Sequence, residues 1–159
     1  MSPHIEKTDL NMTVYEAKTL PCVAESSENM WDFADYKADL VVVDIGTNDY
    51  ILALNSPTDE RFIETYVNFV SDFIQYHKNV NNNPEVLLVC GPMTSRQCGN
   101  VEIVSEQLSE TYGESNIGFL NVELETFPFL HGCLFHPTVA DHQVMAEIVE
   151  VEARKLMGW

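Results

Sequence analysis

The chain has 159 residues, 45% of them apolar and 21% charged, enough for one domain with a sizeable core and too few for two. Asp and Glu number 25 against 8 Lys and Arg, a formal charge of −17. A surface of that sign repels phosphate backbones and anionic lipid, which argues against nucleic-acid and membrane-surface roles and favours solubility.

Residues 1–30 are mixed and polar, with a short helix expected before Leu20-Pro21, and form a segment apart from a single α/β domain over 31–159. WDFADYKAD leads into Leu40–Asp44, a β-branched run expected to be a strand covered on both faces. It stops abruptly at Gly46-Thr47-Asn48-Asp49, read as a turn. Ser56-Pro57-Thr58-Asp59 is a helix start, with Ser56 as cap, Pro57 at the first helical position and Asp59 facing the positive dipole end. Phe62, Ile63, Tyr66, Val67, Val70, Phe73 and Ile74 then recur at helical spacing to about Lys78, and Asn81-Asn82-Asn83-Pro84 breaks the helix. Val86–Cys90 is a second buried strand ended by Gly91-Pro92. A helix around Val101–Tyr112 ends at Gly113, Ile117–Asn121 is a third strand, and a loop carrying GCLFHPT leads to a last helix from about Val139 to Met157.

This rhythm predicts a parallel sheet with crossover helices on both faces, a three-layer α/β sandwich. In such folds ligands sit beyond the carboxyl ends of the strands. Residues 46–49 and 91–95 are therefore expected on one edge of the sheet, which the loop around His136 can also reach.

Gly46 lets the chain turn sharply and approach a ligand closely. Asn48 offers an amide donor suited to a developing oxyanion, and Asp49 can hold that loop through local hydrogen bonds. His136 precedes a proline and Thr138, which can cap the last helix; a histidine at that position is placed to act as a general base. His4, His77, His131 and His142 have no comparable setting, and His77 reads as the solvated end of a long helix. Cys22, Cys90, Cys98 and Cys133 form no C-x-x-C pair, so no metal site is expected. Free thiols are the expected state, with a Cys98–Cys133 bridge as the alternative.

No apolar stretch approaches the roughly 18 to 20 residues of a membrane span. MSPHIEKTDL has neither a basic start nor an apolar h-region, so no signal peptide is expected. As it stands the chain reads as cytoplasmic; an upstream leader on a longer precursor would make it secreted.

Three blocks in order carry a family resemblance. YEAKTLP precedes WDFADYKADLVVVDIGTND, which looks like W-D-F…P-D-(apolar)-G-T-N-D. LLVCGPM looks like the strand and turn after the first crossover helix. GCLFHPTVADHQVMA looks like G-C-x-x-H-P-(small)-x-x-x-H-Q-x-M-A. Over roughly residues 11–157 the chain resembles the SGNH, or GDSL-like, hydrolases, and within them the carbohydrate esterase family 2 acetyl esterases. The resemblance implies a flavodoxin-like SGNH fold and cleavage of ester bonds, often acetyl groups on sugars, through an acyl-enzyme without metal or cofactor. It makes Asn48 the oxyanion-hole amide, Gly46 the glycine of its block and His136 the base that activates a serine.

The family begins with a strand ending in G-D-S, whose serine is the nucleophile, followed by a second block that contributes a glycine N–H. No G-D-S is found here, and the match begins after both should have appeared. The chain thus looks like the later part of the family domain, with Leu40–Asp44 left as an exposed apolar edge through which copies could associate. Ser95, in GPMTS, is the substitute nucleophile on the expected edge; Ser2, Ser26 and Ser27 lie in the N-terminal part. The family's aspartate before the histidine falls on Cys133 and Leu134, so a backbone carbonyl would orient His136.

Two other readings stand beside an esterase of carbohydrate or short-acyl esters. One is a catalytically inactive binding module, or a fragment, of the same lineage. The other rests on VVVDIGTND, which also resembles the first phosphate loop of actin-like kinases and phosphatases. There Asp44 would approach a metal-bound nucleotide and Tyr50–Leu54 would continue as a hairpin strand. That fold needs a second glycine-rich loop and a considerably longer chain.

Overall fold

The computed structural model describes residues 34–35, 37–51, 56–122, 132–133 and 136–159. The expectations for the first thirty residues, for Ser2, Ser26, Ser27, His4, His131 and Cys22, and for Leu134, lie outside them.

Three strands, β1 (Leu40–Asp44), β2 (Glu85–Cys90) and β3 (Ile117–Asn121), form a parallel sheet in the order β1-β2-β3. Leu40 pairs with Glu85 and Asp44 with Val89, while Val86 pairs with Ile117 and Cys90 with Asn121. The α/β sandwich expected from the sequence is thus the fold observed. Between the strands lie a short helix α1 (Thr47–Ile51) and the crossover helices α2 (Asp59–Asn79) and α3 (Cys98–Tyr112); α4 (Val139–Met157) closes the chain.

Strand β2 sorts its side chains by the two-residue period of a pleat. Val86, Leu88 and Cys90 face a core shared with Phe62, Tyr66, Val70 and Ile74 of α2 and Val101, Val104 and Leu108 of α3. Leu87 and Val89 face the opposite core with Val122, against which Met145, Ile148, Val149, Ala153 and Leu156 of α4 pack. Helices α2 and α3 therefore cover one face and α4 the other.

Strand β1 departs from the expectation of burial on both faces. It is an edge strand among the described residues, and Val42 is 46% exposed. Helix α4 packs mainly over β3 and β2, and among the described residues Val42, on the same side of β1, is left half exposed.

Gly118, second in β3, has Leu156 of the last turn of α4 beside it: a Cβ there would stand 3.2 Å from Leu156 Cδ2. Helix α4 therefore runs antiparallel to the strands, and its first turn emerges at their carboxyl edge. That turn is closed by a capping box, with the Thr138 hydroxyl accepting from Asp141 N and the Asp141 carboxylate accepting from Thr138 N.

Three local expectations are corrected. Thr58, not Ser56, caps α2, its hydroxyl accepting from Arg61 N at 3.3 Å. Pro57 therefore precedes the cap and sets the extended approach. His77 is 3% exposed instead of solvated, because the chain turns back over it: Asn82 N–H bonds the His77 carbonyl at 2.9 Å and Asn82 Nδ2 bonds its Nδ1 at 3.0 Å. Cys90 and Cys98 are joined by a disulfide, with Cα atoms 5.4 Å apart, and Cys133 is free and exposed. Cys98 is thus neither the free thiol expected nor bridged to Cys133; the turn after β2 brings it back to the strand it has just left.

Candidate active site at the carboxyl edge of the sheet

Gly46 leaves β1 with φ +100°, a conformation that L side chains rarely adopt. A Cβ at this position would also meet the Phe62 ring at 2.8 Å. The Thr47-Asn48-Asp49 stretch read as a turn is the first part of helix α1, with Asp49 N–H bonded to the Gly46 carbonyl at 3.1 Å. Tyr50, within α1, cannot open the hairpin strand that the actin-like reading requires. Asn48 and Asp49 are exposed, whereas Tyr50 is buried with its ring edge-on to Phe62 at 5.1 Å between centroids.

A second segment holds α1 from the side. Gln97 is completely buried, and its Nε2 lies 3.4 Å from the Thr47 hydroxyl. Arg96 Nη1 donates to the Tyr50 carbonyl at 3.4 Å. Asn100 Nδ2 donates to Tyr50 OH at 2.9 Å and to Asp59 Oδ1 at 2.8 Å, while Tyr50 OH faces Asp59 Oδ1 at 3.4 Å. Burial, with the Asp59 carboxylate adding to it, pushes the Tyr50 phenol above its ordinary pKa, although the bond from Asn100 opposes this. The residues that reach α1 from beyond β2 are thus 96, 97 and 100, further along than the 91–95 stretch expected. They follow a Gly-Pro turn and open a helix, but their partners lie some fifty residues earlier, and no local pattern signals that pairing.

The carboxyl of Asp44, the last residue of β1, is packed enough that burial pushes its pKa up to about 6, although the residue remains accessible to solvent. The Tyr66 phenol, buried nearby, is pushed well above its ordinary range by burial and by the Asp44 charge.

His136 is exposed, and its Nδ1 lies 3.0 Å from the Cys133 carbonyl oxygen. With that bond made, Nδ1 carries the proton and Nε2 is the basic nitrogen. The loop is closed by His136 N–H to the Cys133 carbonyl at 3.1 Å and by Gly132 N–H to the His136 carbonyl at 3.0 Å. The His136 carbonyl oxygen occupies the place a side chain on residue 132 would need, so glycine there is a condition of the loop's closure.

Ser95 is exposed in the turn before α3, and its carbonyl accepts from Cys98 N. One G-x-S triplet, Gly113-Glu114-Ser115, lies between α3 and β3. This is the amino edge of the sheet, away from the cluster. Among the described residues no group of three His, Cys, Asp or Glu side chains could hold a metal, and no helix is long and apolar enough to cross a membrane.

Residues 10–149 match the model of the GDSL-like lipase/acylhydrolase family. The chain belongs to that family. It is 29% identical over 137 residues to the cellulase/esterase CelE of Acetivibrio thermocellus, covering 81% of this chain and 16% of that protein. It is 26% identical over 143 residues to an acetylxylan esterase/glucomannan deacetylase of Cellvibrio japonicus, covering 87% of this chain and 39% of that protein. The chain therefore spans well under half the length of the curated relatives it matches. Among solved structures, a family two carbohydrate esterase from Clostridium thermocellum in complex with cellohexaose superposes with a TM-score of 0.76 at 25% identity, over 93% of this chain and 43% of that one. A family two carbohydrate esterase from Cellvibrio japonicus shares the fold at a TM-score of 0.72 and 19% identity, over 92% of this chain and 41% of that one. The part matched is the C-terminal part of these esterases, and the SGNH-type α/β fold is common to all of them.

Proposed function

We propose that this chain carries the oxyanion and general-base side of a carbohydrate acetyl-esterase site. The observation that carries the reading is the bond from His136 Nδ1 to the Cys133 carbonyl, on a loop whose following helix emerges at the same sheet edge as α1. A backbone carbonyl does there what an acid does in a triad: it fixes the tautomer and leaves Nε2 to take a proton. In this scheme Nε2 removes the proton from a serine hydroxyl as the serine oxygen attacks the acetyl carbonyl carbon. The oxyanion accepts hydrogen bonds from Asn48 Nδ2 and Gly46 N–H. Collapse breaks the ester bond, and the sugar oxygen leaves with the proton from His136; water then releases acetate by the same steps. Asp49, in the first turn of α1, supports the Asn48 segment.

In this reading the serine comes from a G-D-S segment outside this sequence, paired along the outer edge of β1, which no described strand occupies. Ser95 is the fallback nucleophile within the chain. The substrate class is an acetylated polysaccharide of the β-linked kind, in line with the relatives named above.

The absence of a G-D-S triplet from the sequence favours a second reading, a binding module of the same lineage that no longer turns over substrate. Hydrolysis of 4-nitrophenyl acetate and of acetylated xylan by the chain joined to the G-D-S-bearing part of one of these relatives separates the two, with His136→Ala as control. Activity lost in the mutant supports the esterase; activity kept in it removes His136 from the mechanism. No activity, together with binding of cello-oligosaccharides, supports the module.

A further inference from the structure

The segment from Cys90 to Cys98 is closed on itself by the disulfide, eight positions apart in sequence. Its end and the first turn of α3 carry Arg96, Gln97 and Asn100, the side chains that grip α1. Gln97 reaches the hydroxyl of Thr47, the residue before Asn48, and its Cγ lies 3.8 Å from the position of a Cβ on Gly46. Gln97 thus packs beside Gly46 and bonds Thr47, the residue between Gly46 and Asn48. Its Oε1 is buried with no hydrogen-bond partner among the described residues. A buried amide oxygen left unpaired is a standing cost to stability, so the side chain is a poor choice for a residue whose task is only to fill the core.

We propose that the disulfide-closed loop is the clamp that sets the orientation of Asn48, with Gln97 as its positioning residue acting through Thr47. The proposal rests on the reading of Asn48 as the oxyanion donor only for its catalytic consequence; the mechanical coupling is testable without turnover. A 5-residue helix cannot hold its own shape in water, so α1 takes its orientation from what packs against it. Holding Gln97 at the end of a covalently closed loop removes freedom that would otherwise pass to Asn48.

The test compares Gln97→Met, Thr47→Val and Thr47→Ser by amide hydrogen exchange and by the side-chain NH2 signals of Asn48 in NMR spectra. Gln97→Met keeps the volume and removes both the donor and the unpaired oxygen; Thr47→Ser keeps the hydroxyl. Loss of one such bond corresponds to about a threefold to tenfold rise in exchange. That rise is expected at residues 46–51 in Gln97→Met and Thr47→Val and not in Thr47→Ser, with residues 139–157 unchanged and the melting temperature of Gln97→Met no lower than the parent's. The Asn48 NH2 signals should move in the first two variants and return in the serine one. The double variant Cys90→Ala/Cys98→Ala should raise exchange over 46–51 as well as 91–97. Exchange at 46–51 rising by less than about threefold in Gln97→Met, or rising equally over 139–157, would overturn the proposal. So would an unaltered 46–51 segment in the double cysteine variant. Where hydrolysis is measurable, Gln97→Met should lower kcat and leave KM unchanged. A change in exchange without any change in kcat would keep the clamp and count against Asn48 as the donor.

Discussion

Removing the Thr138 hydroxyl tests how firmly the His136 loop is anchored. Thr138 Oγ1 donates to Asp141 Oδ2 at 2.7 Å and accepts from Asp141 N at 3.3 Å, while Thr138 N–H donates to the same carboxylate oxygen at 2.7 Å. Thr138→Val removes the first two and leaves the third. Loss of a helix cap costs about 1 to 2 kcal/mol. Asp141 is 9% exposed, so water replaces the missing donor poorly, and a lost bond to a charged group raises the total to about 2 to 3 kcal/mol. In a domain of this size that corresponds to a fall in Tm of roughly 4 to 12 °C. Thr58→Val at the start of α2 is the control, because it removes a single exposed bond of 3.3 Å and should cost about 0.5 to 1 kcal/mol. Thermal melts followed by far-UV circular dichroism measure both, and Thr138→Ser should restore the parent value. If Thr138→Val melts no lower than Thr58→Val, the anchoring of α4 by a reciprocal cap is wrong.

Burial holds the Asp44 pKa at about 6 in the fold against 3.8 when exposed, so the native state binds the proton more tightly and loses stability as pH rises from about 4 to 6. Asp44→Asn should therefore raise the urea midpoint at pH 7.5 and lose that advantage near pH 4.5, by less than the shift alone implies because solvent still screens the group; equal effects at both pH values would refute this. His77 has the opposite sign: burial lowers its pKa from 6.5, so its contribution is complete above pH 6.5 and is lost as pH falls below it. NMR titration should place the His77 midpoint below 6.5, and His77→Gln should flatten the stability profile there. Gly91 has φ +95°, and a Cβ there would strike the Val122 carbonyl oxygen of the neighbouring chain segment. Gly91→Ala should cost about 3 kcal/mol or more, whereas Gly99→Ala, with open space around the new methyl, should be neutral or stabilise by about 0.5 kcal/mol. Urea midpoints of the pair check the contrast, and similar values for both would refute it.

Much of the architecture was legible from local signals. The bounds of Leu40–Asp44, Ile117–Asn121 and Val139–Met157 match the observed elements, because apolar runs, Gly113 and the Thr138 cap mark them by chemistry within a few residues. What was missed depends on contacts made at a distance. Helix α1 forms in a stretch that reads as a turn because Phe62, Gln97 and Asn100 surround it. His77 reads as solvated because Asn82, which covers it, lies beyond the helix end. The Cys90–Cys98 bond follows from the path of the Gly91-Pro92 turn, which residue counting does not reveal. The candidate residues themselves, Asn48, Gly46 and His136, stand out by family resemblance to GTND and HPT blocks. The side chains that hold α1, Arg96, Gln97 and Asn100, carry no such motif.

The central claim is that the amide of Asn48 and the imidazole of His136 serve one ester. A crystal structure with an acetyl-ester analogue measures this directly through the separation of Asn48 Nδ2 and His136 Nε2. Hydrogen-bond reach to a shared tetrahedral centre predicts about 8 Å or less, with the analogue between them. A separation beyond about 12 Å, or an analogue bound elsewhere, would contradict the account.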